Sequence, residues 1–319
     1  MSVEQQASPA SPASPAERVS RRVDGVDVLG AISPSRAADF MTCPLLFRFR
    51  TVDRLPETFS VDAVRGTLVH KVLEDLYSLP AADRTPETAR AMLLPAWESF
   101  VADDPTLLHM FDAAEAAHEP GFLEWMRSAE VVLDRYFTLE DPRRLEPAER
   151  ELYVEALLDS KLLLRGFVDR VDVAPDGAIR ISDYKTGSAP GVDYEAKALF
   201  QMKFYALVIW RMRGVIPRQL QLIYLGNGEI VRYEPDEDDL LATERKVNAL
   251  WEAIRLADEV REWQPNRSRA CDWCSFKAVC PAWGGTPPPV PEKRVRPDAA
   301  PPTAPRWFGR LRRWWRRSR

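Results

Sequence analysis

Between residues 33 and 140 the apolar positions recur at helical spacing, and from about 152 to 187 they alternate. "SPSRAADFMTCP" opens on a Ser-Pro helix-start signal, and "VRGTLVHKVLEDLYSL" sets Val69, Val72, Leu73 and Leu76 on one helical face. "TARAMLLPAWESFV" and "EWMRSAEVVLDRYFTLE" continue the helical reading. The period then shortens. "LYVEALLD", "KLLLRGFVDRVDVA" and "GAIRISDYKTG" read as three strands, the last two joined by "APDG", a type I turn with glycine at its final position. "EAKALFQMKFYALVIWRMRG" returns to helix, and "RQLQLIYLGNGEIVRYEP" reads as a hairpin turned at "GNG". "DDLLATERKVNALWEAIRLADEVREW" is a long helix. This mixture predicts an α/β or α+β core behind a helical N-terminal segment.

The flanks are of another kind. Residues 1–30 begin "MSVEQQASPASPASPAERVS", too poor in apolar residues to order themselves, and "TPPPVPEKRVRPDAAPPTAP" lies in a Pro-rich linker over 284–305. The predicted folded body is 31–283. The tail 306–319 sets Trp307, Leu311, Trp314 and Trp315 on one helical face among arginines, a pattern suited to nucleic acid, a partner or an anionic membrane surface. No run of eighteen apolar residues and no secretory leader is found, so the expected compartment is the cytoplasm, where clustered cysteines bind metal more often than they pair. The net charge of −4 hides an asymmetry: about +8 from Gly284 onward and about −12 before it. An acidic body does not hold polyanions by bulk charge, so a nucleic-acid contact there needs a local groove or bound cations.

Candidate chemistry appears where charges interrupt the strands. By alternation, Phe167, Asp169, Val171 and Val173 share one face of their strand, while Ile179, Ile181, Asp183 and Lys185 share one face of the next. A carboxylate on a buried face costs several kcal/mol, about 2 or more, unless it is paired or binds a cation. Taken singly, Asp169 and Asp183 read as ordinary ion-pair partners. Together, with Lys185 two residues on, they read as a divalent-metal site with a cationic helper. Gln201 and Tyr205, four apart, lie on one face of the following helix, and His70 borders an apolar helical face. Near the C-terminus Cys271, Cys274 and Cys280 fall within ten positions, and the remaining cysteine is Cys43. Four thiolates suit either zinc or an iron–sulfur cluster.

Taken in order, "GTLVH", "GFVDRVD", "DYKTG" and "QMKFY" resemble the motifs of the RecB-like exonuclease branch of the PD-(D/E)XK nuclease superfamily, over roughly residues 33–283. The Cys-x2-Cys-x5-Cys spacing with one upstream cysteine, in "MTCPLLFRFR", resembles its iron–sulfur members. The resemblance implies a restriction-endonuclease-like α/β core, a mixed central sheet flanked by helices, closed by a C-terminal cysteine staple. It implies that Asp169, Asp183 and His70, with the backbone carbonyl of Tyr184, hold Mg²⁺ or Mn²⁺. Lys185 would then position the attacking water or offset charge on the phosphate, and Gln201 and Tyr205 would orient Lys185 or the strand. A further acid is expected at Glu151 or Glu155, with Glu151 preferred. Cys43, Cys271, Cys274 and Cys280 would ligate a structural [4Fe–4S] cluster, with zinc as the alternative. The implied function is a metal-dependent DNA nuclease, exonucleolytic on single strands or free ends, serving repair or recombination. No "GxxxxGK[ST]" occurs, so duplex unwinding would fall to a helicase partner. The rival is a DNA-binding or scaffold subunit of a helicase–nuclease complex that does no hydrolysis, and a third reading is a zinc-stapled interaction protein.

Overall fold

The computed structural model describes residues 22–23, 26–57, 60–111, 121–189 and 192–291. Of the reading of residues 1–30 as disordered, 1–21 with 24 and 25 lie outside the described residues, as does the reading of the tail 306–319, while 22–23 and 26–30 are described.

The chain enters through three short strands that its composition did not announce: β1 (Arg22–Val23), β2 (Val26–Asp27) and β3 (Gly30–Ile32). Helix α1 (Pro34–Thr42) starts where the Ser-Pro signal puts it, with the Ser33 hydroxyl accepting the Arg36 N–H. It stops at Cys43 because Pro44 follows: a residue before proline is pushed out of the helical region, and Cys43 is extended (φ −164°, ψ 117°). Pro44 then opens α2 (Pro44–Phe47), which runs into a π-helical turn, Arg48–Asp53. Helices α3 (Val61–Leu76), α4 (Pro86–Asp103) and α5 (Phe122–Leu139) complete the N-terminal segment.

Next come β4 (Glu149–Leu157), β5 (Leu162–Val173) and β6 (Ile179–Lys185), then α6 (Val192–Arg213), the hairpin β7 (Gln219–Tyr224) and β8 (Glu229–Tyr233), and α7 (Glu237–Val260). The "APDG" turn is present, with Gly177 at φ +84° and its N–H donating to the Ala174 carbonyl. The sheet is mixed: β3 lies parallel to the start of β5, β4 and β6 are antiparallel to β5, β6 and β7 are parallel, and β8 closes the edge. One face packs on α1, α6 and α7 through residues such as Ile181, Phe204, Leu222 and Val247. The other packs on α3, α4 and α5 through Val69, Leu73, Trp125, Tyr184 and Ile223. Val69, Val72, Leu73 and Leu76, the predicted apolar row of α3, are fully buried, each contributing about 1.5–3 kcal/mol of transfer free energy.

Two expectations need correction. Strand β5 does not alternate regularly. Val168 and Val171 belong to the same core, which residues three apart on a regular strand cannot do, and Phe167 is only half-buried. The alternation breaks at Asp169, and β4 breaks with it, since the paired register skips Glu151 and Asp169. The Pro-rich segment also does not begin as a free linker at 284. Gly285 donates to the Cys280 carbonyl, Arg48 donates to the Pro288 carbonyl, and Arg261 donates to the carbonyls of Val290 (3.0 Å) and Pro291 (2.7 Å).

Candidate active site

Strands β5 and β6 pair from Val173–Ile179 to Arg170–Ser182 and then part. Their parting leaves backbone groups that a ladder would otherwise satisfy, and side chains take them. The Tyr184 N–H donates to Asp169 Oδ2 at 2.7 Å. On the same carboxylate, His70 Nδ1 from α3 lies 3.4 Å from Oδ2. Glu151 joins from β4, its backbone in the left-handed region (φ +43°), a conformation that costs a non-glycine residue about 1–3 kcal/mol. Ligand-capable atoms of His70, Glu151 and Asp169 lie within 4.8 Å of one another. Burial first, and then the Asp169 carboxylate, push the Glu151 carboxyl up to about 7, against the opposing pull of His70. Crowded acids of this kind are relieved by a cation.

Asp183 is not part of that trio. It sits on the other side of the parting, 2% exposed, with its carboxylate 2.6 Å from the Lys185 amine. Gln201 on α6 bridges the two, its Nε2 donating to Asp183 Oδ1 (2.9 Å) and its Oε1 accepting from Lys185 Nζ (3.0 Å). The same amide Nε2 lies 3.4 Å from the Tyr205 hydroxyl, one turn on. Burial, then Asp169, raise the Asp183 carboxyl to about 6, with Lys185 and His70 opposing. Burial pulls the Lys185 amine down, but the Asp183 and Asp169 carboxylates outweigh it and the amine stays above its ordinary value, protonated at neutral pH. Two glycines let the motifs close on one another. A Cβ on Gly166 would stand 2.7 Å from the Tyr205 ring, and one on Gly66 would stand 3.0 Å from the Thr186 hydroxyl.

The sequence-predicted residues thus converge: His70, Glu151, Asp169, Asp183, Lys185, Gln201 and Tyr205 meet around the gap between β5 and β6. Glu155, the other candidate acid, does not; it accepts from the Tyr153 hydroxyl at 2.6 Å, farther along β4. Sequence reasoning missed a second layer on the α3 side of the sheet, where Arg170, Glu140, Tyr77, Tyr184 and Gln221 share hydrogen bonds. The available signal was the arginine itself, set between valines in "FVDRVD".

The four thiols meet at the opposite end of the chain's path. Cys43, turned out by Pro44, lines one hollow with Cys271, Cys274 and Cys280. None is in a disulfide. Cys43 Sγ accepts the Asn266 N–H (3.3 Å) and Cys271 Sγ the Ser268 N–H (3.5 Å). Burial raises the Cys274 thiol, and Cys271, Cys280 and Cys43 add to the rise, as sulfurs facing one another would.

The fold is that of the PD-(D/E)XK nuclease superfamily. The profile of the PD-(D/E)XK nuclease superfamily matches residues 31–281, and the chain belongs to that superfamily. Its structure is similar to that of a protein from Eubacterium rectale assigned as an exonuclease, with a TM-score of 0.50 and 15% identity over 76% of this chain and 86% of that one. A second solved structure, SSO0001, aligns with a TM-score of 0.38 and 12% identity over 81% of this chain and 88% of that one. The Gene 69 protein of Mycobacterium phage D29 is 46% identical over 65 residues, 20% of this chain and 21% of that protein. The match thus spans about a fifth of that curated relative. No helix among the described residues is long and apolar enough to cross a membrane.

Proposed function

We propose that this nuclease is a divalent-metal-dependent DNA exonuclease of the RecB-like branch, acting on single strands or free ends in repair or recombination. The observation that carries the reading is the pairing of two half-sites across the β5–β6 gap. One is a crowded His70–Glu151–Asp169 group, and the other is a lysine clamped by Asp183 and Gln201. His70, Glu151, Asp169, Asp183 and the Tyr184 carbonyl are the groups that would hold Mg²⁺ or Mn²⁺. When bound, such an ion polarises the scissile phosphate and lowers the pKa of a water. Lys185 offers a fixed positive charge on the same side as Asp183, where the phosphate gains charge in the transition state. Gln201 fixes that amine and the Asp183 carboxylate with one amide, so neither has to reorganise during reaction. Tyr205, packed on Gly166, holds Gln201 in turn.

The four thiols would hold a structural [4Fe–4S] cluster, with zinc as the alternative, and the motif resemblance favours the cluster. Four thiols from the two ends of the domain line one hollow, a donor set that four-thiolate ligation of a cluster requires. Such a cluster would join Cys43 to residues 228 positions later, closing most of the nuclease domain, 31–283, into one loop. A cytoplasmic setting and a helicase partner accompany this reading, as does a role for the tail 306–319 in contacting nucleic acid, a partner or a membrane surface.

The test is hydrolysis of end-labelled single-stranded and duplex DNA by anaerobically purified protein with Mg²⁺ or Mn²⁺, beside Asp183→Asn of equal iron content. Cleavage by the wild type alone, with mononucleotides or short oligonucleotides released from one end, supports the proposal. Binding without cleavage by both proteins would replace it with the scaffold reading.

A further inference from the structure

Arg170 is the most heavily hydrogen-bonded buried charge among the described residues and plays no part in the chemistry above. It is 1% exposed, so it cannot reach a substrate. Its guanidinium donates to both oxygens of Glu140 (2.7 and 2.9 Å), to the hydroxyls of Tyr184 (2.7 Å), Tyr77 (3.2 Å) and Ser182 (3.3 Å), and to Asp172 (3.2 Å). Its guanidinium also stands 5.7 Å from the Tyr77 ring centre and 5.6 Å from that of Tyr184. Glu140 accepts a further bond from Gln221 on β7 (3.0 Å), and Tyr77 bonds Tyr136 on α5.

Several of these groups stand close in the chain to site residues. Arg170 follows Asp169. Tyr184 separates Asp183 from Lys185, and its N–H holds Asp169 while its hydroxyl holds Arg170. Tyr77 caps α3 seven residues, or two turns, after His70, and so lies on the same helical face. On β4, Arg150 pairs in register with Arg170, donates to the Glu74 carbonyl and to Ser78 just beyond the end of α3 (both 2.9 Å), and precedes Glu151. Three of the elements that carry the site, α3, β5 and β6, are thus referenced to one guanidinium, and β4 is tied to the same residue through its strand register. The break in β5 has the same origin: Arg170 is drawn to the α3 side between Val168 and Val171, which both face the other core.

Stability alone does not explain this arrangement. A buried, hydrogen-bonded ion pair gains little over well-packed apolar residues of the same volume, because desolvation offsets the attraction. What apolar residues cannot do is fix angles. A planar fork with five donors sets the direction of each partner, and groups that orient metal ligands from behind commonly govern affinity for the ion.

We propose that Arg170 is the positioning residue of the metal centre: through Tyr184, Tyr77 and its own peptide link it sets Asp169 and His70 where a divalent cation needs them. This rests on the metal site proposed above, and the test separates the two. Mn²⁺ binding is measured by titration calorimetry on cluster-loaded wild type, Asp169→Asn, Arg170→Met and the double variant Arg170→Met/Glu140→Gln, beside urea unfolding of each. Arg170→Met leaves the Glu140 charge buried without the guanidinium it pairs with and is expected to be less stable. In the double variant that charge is gone, while the amide put in place of the Glu140 carboxylate can still accept from Gln221, so stability returns towards wild type. Mn²⁺ affinity does not return. It stays about tenfold to a hundredfold weaker in both Arg170 variants, and kcat falls while KM for DNA holds, since Arg170 touches no substrate. A double variant that binds Mn²⁺ as tightly as wild type would overturn the proposal. If wild type itself took up no Mn²⁺, or Asp169→Asn bound it unchanged, the metal-site reading would fall, and this proposal with it.

Discussion

Replacing Asp183 by Asn should make the metal-free protein more stable and the enzyme inactive, and the size and pH dependence of the gain follow from the site. The Asp183 carboxyl is 2% exposed, and burial together with the Asp169 charge raises it from 3.8 to about 6, even with Lys185 beside it. A folded-state value above the unfolded one means that the folded chain binds the extra proton, so ionisation weakens the fold as pH rises from 3.8 through about 6. Above that range the accumulated cost is roughly 3 kcal/mol, and at pH 5 roughly half of that. Asparagine matches the shape of the protonated acid, can still accept from Lys185, and carries none of this cost. The expected outcome in EDTA is therefore a gain approaching about 3 kcal/mol at about pH 8 that shrinks to about half at about pH 5 and vanishes below about 3.8. Anaerobic urea denaturation of wild type and Asp183→Asn at matched iron content, at the two higher pH values, measures it. Adding Mg²⁺ should stabilise the wild type and leave the variant nearly unchanged, while hydrolysis by the variant falls at least a hundredfold, about 3 kcal/mol of transition-state stabilisation. A variant that is no more stable than wild type in EDTA at about pH 8 would refute the reasoning, because Asp183 would then be a satisfied ion-pair partner with no need of a cation.

Three other outcomes are expected. Because Glu151 holds its proton to about pH 7 in the folded, metal-free protein, Mn²⁺ affinity should rise as pH increases from about 6 to about 8, and Glu151→Gln should flatten that dependence in a calorimetric titration. Gly166→Ala would press a methyl to within 2.7 Å of the Tyr205 ring, destabilising by about 1–3 kcal/mol and loosening Gln201 and Lys185; kcat should fall with cluster content unchanged. Cys43→Ser should lower iron and sulfide per chain together and raise susceptibility of residues 262–291 to proteolysis; equimolar zinc in the purified wild type, without iron, would contradict the cluster assignment.

Much of the nuclease was legible in one dimension, wherever the relevant contact is local. Ser33 before Pro34 marks a helix start because the hydroxyl reaches its own first turn. Asp183 and Lys185 share a face because strand side chains repeat every second residue, and Gln201 and Tyr205 do so because a helix turns in about 3.6 residues. The apolar row of α3, the "APDG" turn and the long helix before the cysteines belong to the same class. Pro44 turning Cys43 out of its helix is local too, although only folding brings that thiol to Cys271, Cys274 and Cys280.

Tertiary structure decided what depends on partners distant in the chain. Regular alternation placed Asp169 in an apolar row, but Arg170 is drawn across the sheet to Glu140, Tyr77 and Tyr184, and the strand gives up its period there. That same break separates β5 from β6 and turns the Tyr184 N–H onto Asp169. Glu151 rather than Glu155 reaches the site because β4 distorts opposite that break, which no propensity encodes. The short strand β3 and the docking of residues 285–291 owe their order to the surfaces they lie on, β5 for β3 and the guanidinium groups of Arg48 and Arg261 for the Pro-rich segment. Periodicity describes an element against a uniform environment. The candidate active site lies where one buried guanidinium makes that environment uneven, and its geometry is set by contacts that only the folded chain contains.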